Sequence, residues 1–531
     1  MIYSESHKAC VYPVEGLPPT MGLVPGARFL PSIKSWMVPC NMESMSAMAR
    51  LRLPALSPMI HEYDWPRNKM KVKAPFDHQR IVSSFLTLNP RSFNLSDIGT
   101  GKTLATLWAF EYLKRKGILK RAVVLSPLST LSRVWEDEIL NHFLGRLTCT
   151  ILHGDAKKRL ARLREDKDVY IINHDGLGVG SGRGSDGRLG MGELASTIAG
   201  RKDIDCVIVD EGSVFKDSGT NRYKLLRQMI KDKNCVWWLT GGPTPNAPTD
   251  AWSQARIVRR DYSESLQNMR EKTMTKITQF KWVPRKDAEN YVSKVLSPAI
   301  RFHREDCLDL PPLTLSTLDV ELSDAQKKAY SELKKTFRTQ IEGGQGITAV
   351  NEAALRLKLI QVGLGAVYGG DHSANEIDCA PRIKVLEQII AETEGKLLIF
   401  CPLISVTELL CRHLGKRHTV SKINGEATTS YRNETFLNFQ TKKDPRIIVA
   451  DPRTMAHGLT LTAAATIVWY GPIDQAEIYT QANGRINRPG QTRSMHIIRL
   501  AATQVEREIF KRLDSKESMQ GAILDIIQRE E

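Results

Sequence analysis

The stretch Ser96-Asp97-Ile98-Gly99-Thr100-Gly101-Lys102-Thr103 decides how this chain is read. It lies between the strand-like run Phe93–Leu95 and the helical pattern Leu104–Leu113. Strand, glycine-bearing turn and helix in that order predict a phosphate cradle. Gly99 and Gly101 let the backbone curl so that successive N–H groups face an anion. The helix that follows adds the positive end of its dipole. Lys102 can reach β- and γ-phosphates, and the Thr103 hydroxyl can hold Mg²⁺. Gly99, Thr100, Gly101, Lys102 and Thr103 are therefore the expected nucleotide-binding residues. Ser96 stands where the motif ordinarily opens on glycine.

Well downstream, Asp205-Cys206-Val207-Ile208-Val209-Asp210-Glu211 reads as an apolar strand ending in two acids. In a parallel sheet, strand ends border the ligand crevice. Asp210 is the expected Mg²⁺ ligand. Glu211 is the expected base, placed to orient and deprotonate an attacking water. An Asp-Glu pair alone suits a solvated turn better; the cradle upstream reverses that balance.

The chain has 531 residues, 41% hydrophobic and 25% charged, a globular composition whose length suits about three or four domains, or two large ones. No apolar run reaches membrane-spanning length. The N-terminus lacks a basic-then-apolar leader, so a cytoplasmic protein without membrane contact is expected. The net charge of +16 suits a polyanionic partner such as nucleic acid, and on charge alone equally suits a basic protein with none. The nine cysteines are scattered, without a Cys-x-x-Cys or a Cys/His cluster at zinc spacing. That pattern predicts a reducing compartment and no structural metal.

Continuous apolar runs separated by amphipathic helical patterns predict buried parallel strands. One series is Ala122–Leu125, Val169–Ile172, Val207–Val209 and Val236–Leu239; a second is Leu397–Cys401, Ile447–Ala450, Thr466–Tyr470 and His496–Leu500. Between them, 254–345 reads as charged and helical, with Leu310-Pro311-Pro312-Leu313 as the inter-lobe passage. Gly176–Gly192 holds eight glycines and reads as a surface loop. Residues 1–70 are rich in Pro and Met with weak periodicity. The expected division is an accessory region at 1–70, an ATP-binding lobe at 71–305 and a C-terminal lobe at 306–531.

The second lobe contains Tyr479-Thr480-Gln481-Ala482-Asn483-Gly484-Arg485-Ile486-Asn487-Arg488-Pro489-Gly490-Gln491. On a helix, Gln481, Arg485 and Arg488 share one face, and Pro489-Gly490 stops it. Two adjacent arginines suit a γ-phosphate and its transition state. Taken alone, the segment reads better as an exposed basic helix face that binds nothing.

In order, the chain presents Gln79, the cradle, Leu125-Ser126-Pro127-Leu128-Ser129, Asp210-Glu211 and Leu239-Thr240-Gly241-Gly242-Pro243. Lys396–Phe400, Gly458-Leu459-Thr460-Leu461-Thr462 and the Gln481–Gln491 box follow. This series resembles the Swi/Snf-type branch of superfamily 2 helicase-like ATPases, in a compact phage or bacterial form. The resemblance spans about 75–520, with Trp135, Glu138, Lys216-Asp217, Gln326 and Tyr330 as further matches. It implies two RecA-like parallel-sheet lobes with an ATP cleft between them. It implies ATP and Mg²⁺ as cofactors, and DNA-stimulated hydrolysis by a monomer that translocates on double-stranded or forked DNA.

The resemblance also assigns roles. Gln79 matches the glutamine at adenine, and Gly458 joins the nucleotide residues. Arg485 and Arg488 match the arginine fingers, catalytic together with Lys102 and Glu211. Thr240, Gly241 and Gln481 couple hydrolysis to lobe movement. Ser126, Pro127, Thr454 and Thr460 line the DNA track. The segment Gly26–Pro39 resembles an element of annealing-helicase-like members, so Trp36 and Lys34 become candidate DNA contacts; a tryptophan buried in a small β-element fits as well.

The chain also departs from the family pattern. The usual Asp-Glu-Ala-His is Asp210-Glu211-Gly212-Ser213, and Gly242 replaces a threonine. Two other functions remain in view: an RNA-directed helicase, and a DNA-binding scaffold with a decayed ATPase site. The Gly484–Gln491 segment opposes the first, and intact Lys102, Asp210, Glu211, Arg485 and Arg488 oppose the second.

Overall fold

Apolar runs that read as buried strands form the inner strands of two parallel sheets. The computed structural model describes residues 1–14, 19–67, 74–180, 190, 192–245, 247–278, 282–307, 309–342, 349–368, 374–455 and 460–515. Gly458, and most of the glycine-rich stretch Gly176–Gly192, lie outside the described residues. The chain divides into two compact units, Met1–Leu308 and Asp309–Glu531.

The first unit opens with an antiparallel sheet of β1 (Ile2–Ser4), β2 (Ala9–Pro13), β3 (Arg28–Leu30) and β4 (Ser35–Pro39), in the order β1-β2-β4-β3. Strands this short, interrupted by proline, carry little periodicity, which is why the sequence there reads as weakly patterned. The helix Met42–Arg50 covers this sheet, with Asn41 Oδ1 accepting from the Ser44 N–H at 2.9 Å as its N-cap. Cys10, Tyr12, Val38, Met45 and Met48 form a small core that also takes in Leu88.

The main sheet of this unit holds β5 (Arg91–Asn94), β6 (Arg121–Ser126), β7 (Cys149–Ile151), β8 (Val169–Asn173), β9 (Ile204–Val209) and β10 (Cys235–Leu239). A hairpin of β11 (Met274–Lys276) and β12 (Trp282–Pro284) precedes its last strand, β13 (Ala299–Ile300). The order is β13-β5-β10-β9-β6-β8-β7, with every pair parallel. Val207–Val209 and Val236–Leu239 expose no surface, because helices cover both faces. Alternation along β10 sends Trp238 into one core and Trp237 into the other, where the helices Asp77–Leu88 and Lys102–Arg115 pack.

The second unit has β14 (Leu313–Asp319), a hairpin of β15 (Ala366–Tyr368) and β16 (Ala374–Glu376), then β17 (Lys396–Phe400), β18 (Val420–Ile423), β19 (Ile447–Ala450), β20 (Ala464–Trp469) and β21 (Met495–Ala501). Its six-stranded sheet is parallel, in the order β14-β21-β20-β17-β19-β18. The fold is thus α/β with two parallel sheets. The expectation of a helical stretch through 254–345 is corrected at β14. It is an edge strand whose residues are mostly exposed, so no apolar run announces it. All nine cysteines are free thiols. Among the described residues no helix is long and apolar enough to cross a membrane.

Candidate active site

The cradle follows β5 and opens the helix Lys102–Arg115. Gly99 and Gly101 adopt φ of +89° and +76°, the left-handed region in which glycine is at ease. Gly101 is required twice over, because a Cβ there would meet Gln79 Nε2 at 2.1 Å. Gln79 is 6% exposed: its Oε1 accepts from the Phe76 N–H at 3.0 Å and its Nε2 donates to Gly101 O at 3.3 Å. It braces the loop as the helix Asp77–Leu88 begins. His78 Nε2 adds a bond to Thr100 O at 2.8 Å. Lys102 Nζ donates to Ser96 O at 2.6 Å and Asp97 O at 3.1 Å, holding its charge over the loop. Thr103 is half-buried on the first helical turn.

Ser96 earns its place where glycine is usual. Its Oγ accepts from the Phe302 N–H at 3.2 Å, and the Asp97 N–H donates to Phe302 O at 3.0 Å. Asp97 Oδ2 also accepts from the Arg304 N–H at 3.1 Å. The segment that continues β13 is thus laced to the cradle, a connection no local pattern in the sequence announces.

Asp210 and Glu211 follow β9 directly. Asp210 is 8% exposed. Its N–H donates to Leu125 O on β6 at 2.8 Å, and its carbonyl accepts from His174 Nε2 at 2.8 Å. Burial lowers the His174 pKa and favours the neutral ring. Asp210 Oδ2 accepts from Ser126 Oγ at 3.0 Å and Trp135 Nε1 at 3.0 Å. Glu211 is half-buried at φ +49°, ψ +50°, a left-handed conformation that costs a non-glycine residue of order 1 kcal/mol or more and concentrates at functional sites. Thr240, fully buried at the end of β10, donates its N–H to Asn94 O at 3.1 Å. Gly241 lies against the cradle, since a Cβ there would sit 3.4 Å from Ile98 N and 3.6 Å from Ser96 O.

The side chain of Ser126, expected at the DNA track, exposes no surface and faces Asp210. Pro127 is buried beside it, and the exposed residues of that loop are Leu128 and Ser129. The helix carrying the arginines is also shorter than expected. It runs Ala476–Asn483, and Gly484 caps it, so Arg485 and Arg488 stand on the turns beyond and Pro489-Gly490 does not end it. Gln481 is buried on that helix, with Nε2 3.4 Å from Glu477 Oε1. Arg485 is 1% exposed, and its Nε donates to Gln481 O at 3.0 Å. Arg488 is half-buried, donating from Nε to Gly484 O at 3.0 Å and from a terminal nitrogen to Thr460 Oγ1 at 3.2 Å. Thr460 is exposed; Thr454 is half-buried, with its Oγ1 donating to Asp451 O at 2.7 Å. In the first unit Lys34 is exposed at φ +45°, and Trp36 is half-buried on β4 with its ring centroid 5.5 Å from that of Phe29.

The donor set fits a magnesium nucleotide. Thr103 and Asp210 carry oxygen donors that could hold the cation, and a glycine-lined loop at a helix N-terminus could hold the anion. No cluster of three or more His, Cys, Asp or Glu positioned for a metal exists among the described residues. Mg²⁺ in phosphate sites ordinarily takes one or two protein carboxylates and completes its shell with phosphate and water.

Comparison with known proteins extends the geometry. The SNF2-related domain matches residues 89–361, slightly more than half of the chain, and the helicase conserved C-terminal domain matches 381–490. Putative protein p41 of Acyrthosiphon pisum secondary endosymbiont phage 1 is 27% identical over 87% of this chain and 100% of its own length. ATP-dependent DNA helicase DDM1 of Arabidopsis thaliana is 25% identical over 80% of this chain, which spans 58% of that protein. The SWI2/SNF2 ATPase core of Sulfolobus solfataricus in complex with dsDNA is 20% identical, covering 87% of this chain and 94% of that one at a TM-score of 0.39.

Proposed function

The chain belongs to the Swi/Snf-type branch of the superfamily 2 helicase-like ATPases, and from that premise we propose that it is a DNA-stimulated ATPase that translocates on duplex DNA. One observation carries the reading. The cradle, Thr240-Gly241, the acid pair and the Ser126 loop follow β5, β10, β9 and β6, which are consecutive neighbours in one sheet. Lys102 neutralises the β- and γ-phosphates. Thr103 and Asp210 would hold Mg²⁺, which when bound supplies charge neutralisation at the phosphates. Glu211 orients the water and takes its proton. Arg485 and Arg488 are the proposed partners of the γ-phosphate.

DNA is the proposed polymer because of the positive charge and because a relative matched over most of this chain is by name a DNA helicase. Thr454 and Thr460, with Lys34 and Trp36 from the N-terminal sheet, are the proposed contacts. Binding is expected to be mainly to phosphates, hence weakened by salt and poorly sequence-specific. The test is turnover without nucleic acid and with single-stranded DNA, duplex DNA, forked DNA and duplex RNA, with strand displacement and annealing followed in parallel. Greatest stimulation by duplex or forked DNA is expected. Equal stimulation by RNA would overturn the choice of polymer, and absence of turnover under all conditions would leave the scaffold reading.

A further inference from the structure

An ionised carboxylate offers about four lone-pair positions. At Asp210, Oδ2 receives two donors, Ser126 Oγ at 3.0 Å and Trp135 Nε1 at 3.0 Å. Oδ1 receives one, the Glu211 N–H at 3.1 Å. Among the described residues one position remains, and it is on Oδ1. The two donors to Oδ2 also meet each other: the single indole N–H is shared with Ser126 Oγ at 3.1 Å. Ser126 Oγ lies 2.5 Å from Thr130 Oγ1, which donates to Pro127 O at 2.8 Å. Ser126 and Trp135 expose no surface.

We propose that Trp135 and Ser126 are positioning residues, a clamp that holds Oδ2 so that the remaining lone pair of Oδ1 is presented to the cation of the nucleotide. The inference rests on the nucleotide-site reading of Asp210. The chemistry of the donors favours it. A buried carboxylate must be hydrogen-bonded, but an Arg or Lys partner would cancel the charge that a cation needs. An indole and a hydroxyl satisfy the oxygen and leave the negative charge intact. The indole is also stiff. It stands on a π-helical turn, Leu131–Glu136, a wider turn than the α-helix and one often found at functional sites. Ser126 and Trp135 flank the loop Pro127–Thr130, whose Leu128 is 57% exposed.

The test is equilibrium binding of a fluorescent, non-hydrolysable ATP analogue to the full chain, in Mg²⁺ and in EDTA. Trp135→Phe keeps most of the ring and removes the N–H; Ser126→Ala removes the hydroxyl. In each variant the affinity in Mg²⁺ is expected to fall about tenfold, the scale for outer partners of metal ligands. Affinity in EDTA and the circular dichroism spectrum should be unchanged. A folded variant with wild-type affinity in Mg²⁺ overturns the clamp, and so does an equal loss with and without the cation. If Trp135→Phe does not fold, Ser126→Ala decides between the same outcomes. A wild-type chain that binds no more tightly in Mg²⁺ than in EDTA overturns the nucleotide-site reading and the clamp with it. A wild type that tightens in Mg²⁺ beside variants that tighten as much overturns the clamp alone.

Discussion

The two units prepare their charged groups in different ways. In Met1–Leu308 the acid pair leaves the end of β9, and its main chain is pinned by Leu125 O on one neighbouring strand and by His174 beyond the next. In Asp309–Glu531 the arginines stand on turns after a helix has ended; each donates to a carbonyl four residues back, Arg485 to Gln481 and Arg488 to Gly484, and Arg488 also donates to Thr460 Oγ1. Sheet bonding fixes Asp210 from several elements at once. A hydrogen bond from a charged donor such as these is worth about 1.5–3 kcal/mol. A phosphate offering bidentate geometry can compete with a single carbonyl of that kind. The acid pair is thus fixed by sheet bonding, whereas the arginines are held by side-chain bonds on turns.

The largest effect that could break this contrast is expected at Lys102. Lys102→Ala should abolish ATP turnover and leave DNA binding largely intact, measured by a phosphate-release assay and fluorescence anisotropy. Turnover above a small fraction of wild type would mean that the cradle is misassigned. Arg488→Ala comes next. Arginine fingers are typically worth about 10³–10⁵ in turnover, so hydrolysis should collapse at the low end of that range or beyond, with ATP affinity changing only modestly. Arg485→Ala should match it and also lower the thermal stability, because its side chain is 1% exposed. A double variant with near-normal DNA-stimulated turnover would show the arginine turns to be structural. Glu211→Gln should lower turnover by about 10² or more, the scale of general base catalysis. Its ATP binding should persist, since Asp210 remains. Loss of nucleotide binding instead would move Glu211 from chemistry to architecture.

The contrast also explains what the sequence revealed. Strands buried on both faces are continuous apolar runs, so β6, β8, β9, β10, β17, β19, β20 and β21 are legible, as are the cradle and the acids that punctuate them. Other strands are not: β14 is an edge strand whose residues are mostly exposed, and the strands of the N-terminal sheet, three to five residues long, are too short to give a run to read. Helix ends are decided by capping geometry, and Asn483-Gly484 stops a helix five residues before the proline that seems to end it. Ser126 reads as a surface contact because only the fold shows that it points inward. Trp135 reads as a family match without a role, since a π-turn breaks the helical spacing that would aim it.

The smallest effect expected concerns Gly212, where the usual motif has alanine. The side chain of Trp238 occupies that space: a Cβ on Gly212 would meet Trp238 Cε2 at 2.2 Å and Nε1 at 2.3 Å. The indole cannot easily retreat, because it is fully buried and its Nε1 donates to Gln254 Oε1 at 2.8 Å. Gly212→Ala therefore restores the family residue and should cost about 1–3 kcal/mol of stability, the scale of overpacking a filled core. The cost should be confined to the sheet that holds the acids. Amide hydrogen exchange should speed up in β9 and β10 and stay unchanged in β17 and β20. Turnover should fall less than it does for Glu211→Gln, since no group at the phosphates is removed. Trp238→Phe removes part of the obstructing ring, so in that background the same Gly212→Ala change should cost less. A double-mutant cycle reads this as a coupling of about 0.5–3 kcal/mol. If the two changes simply add, the indole is not what excludes alanine, and the glycine has some other cause.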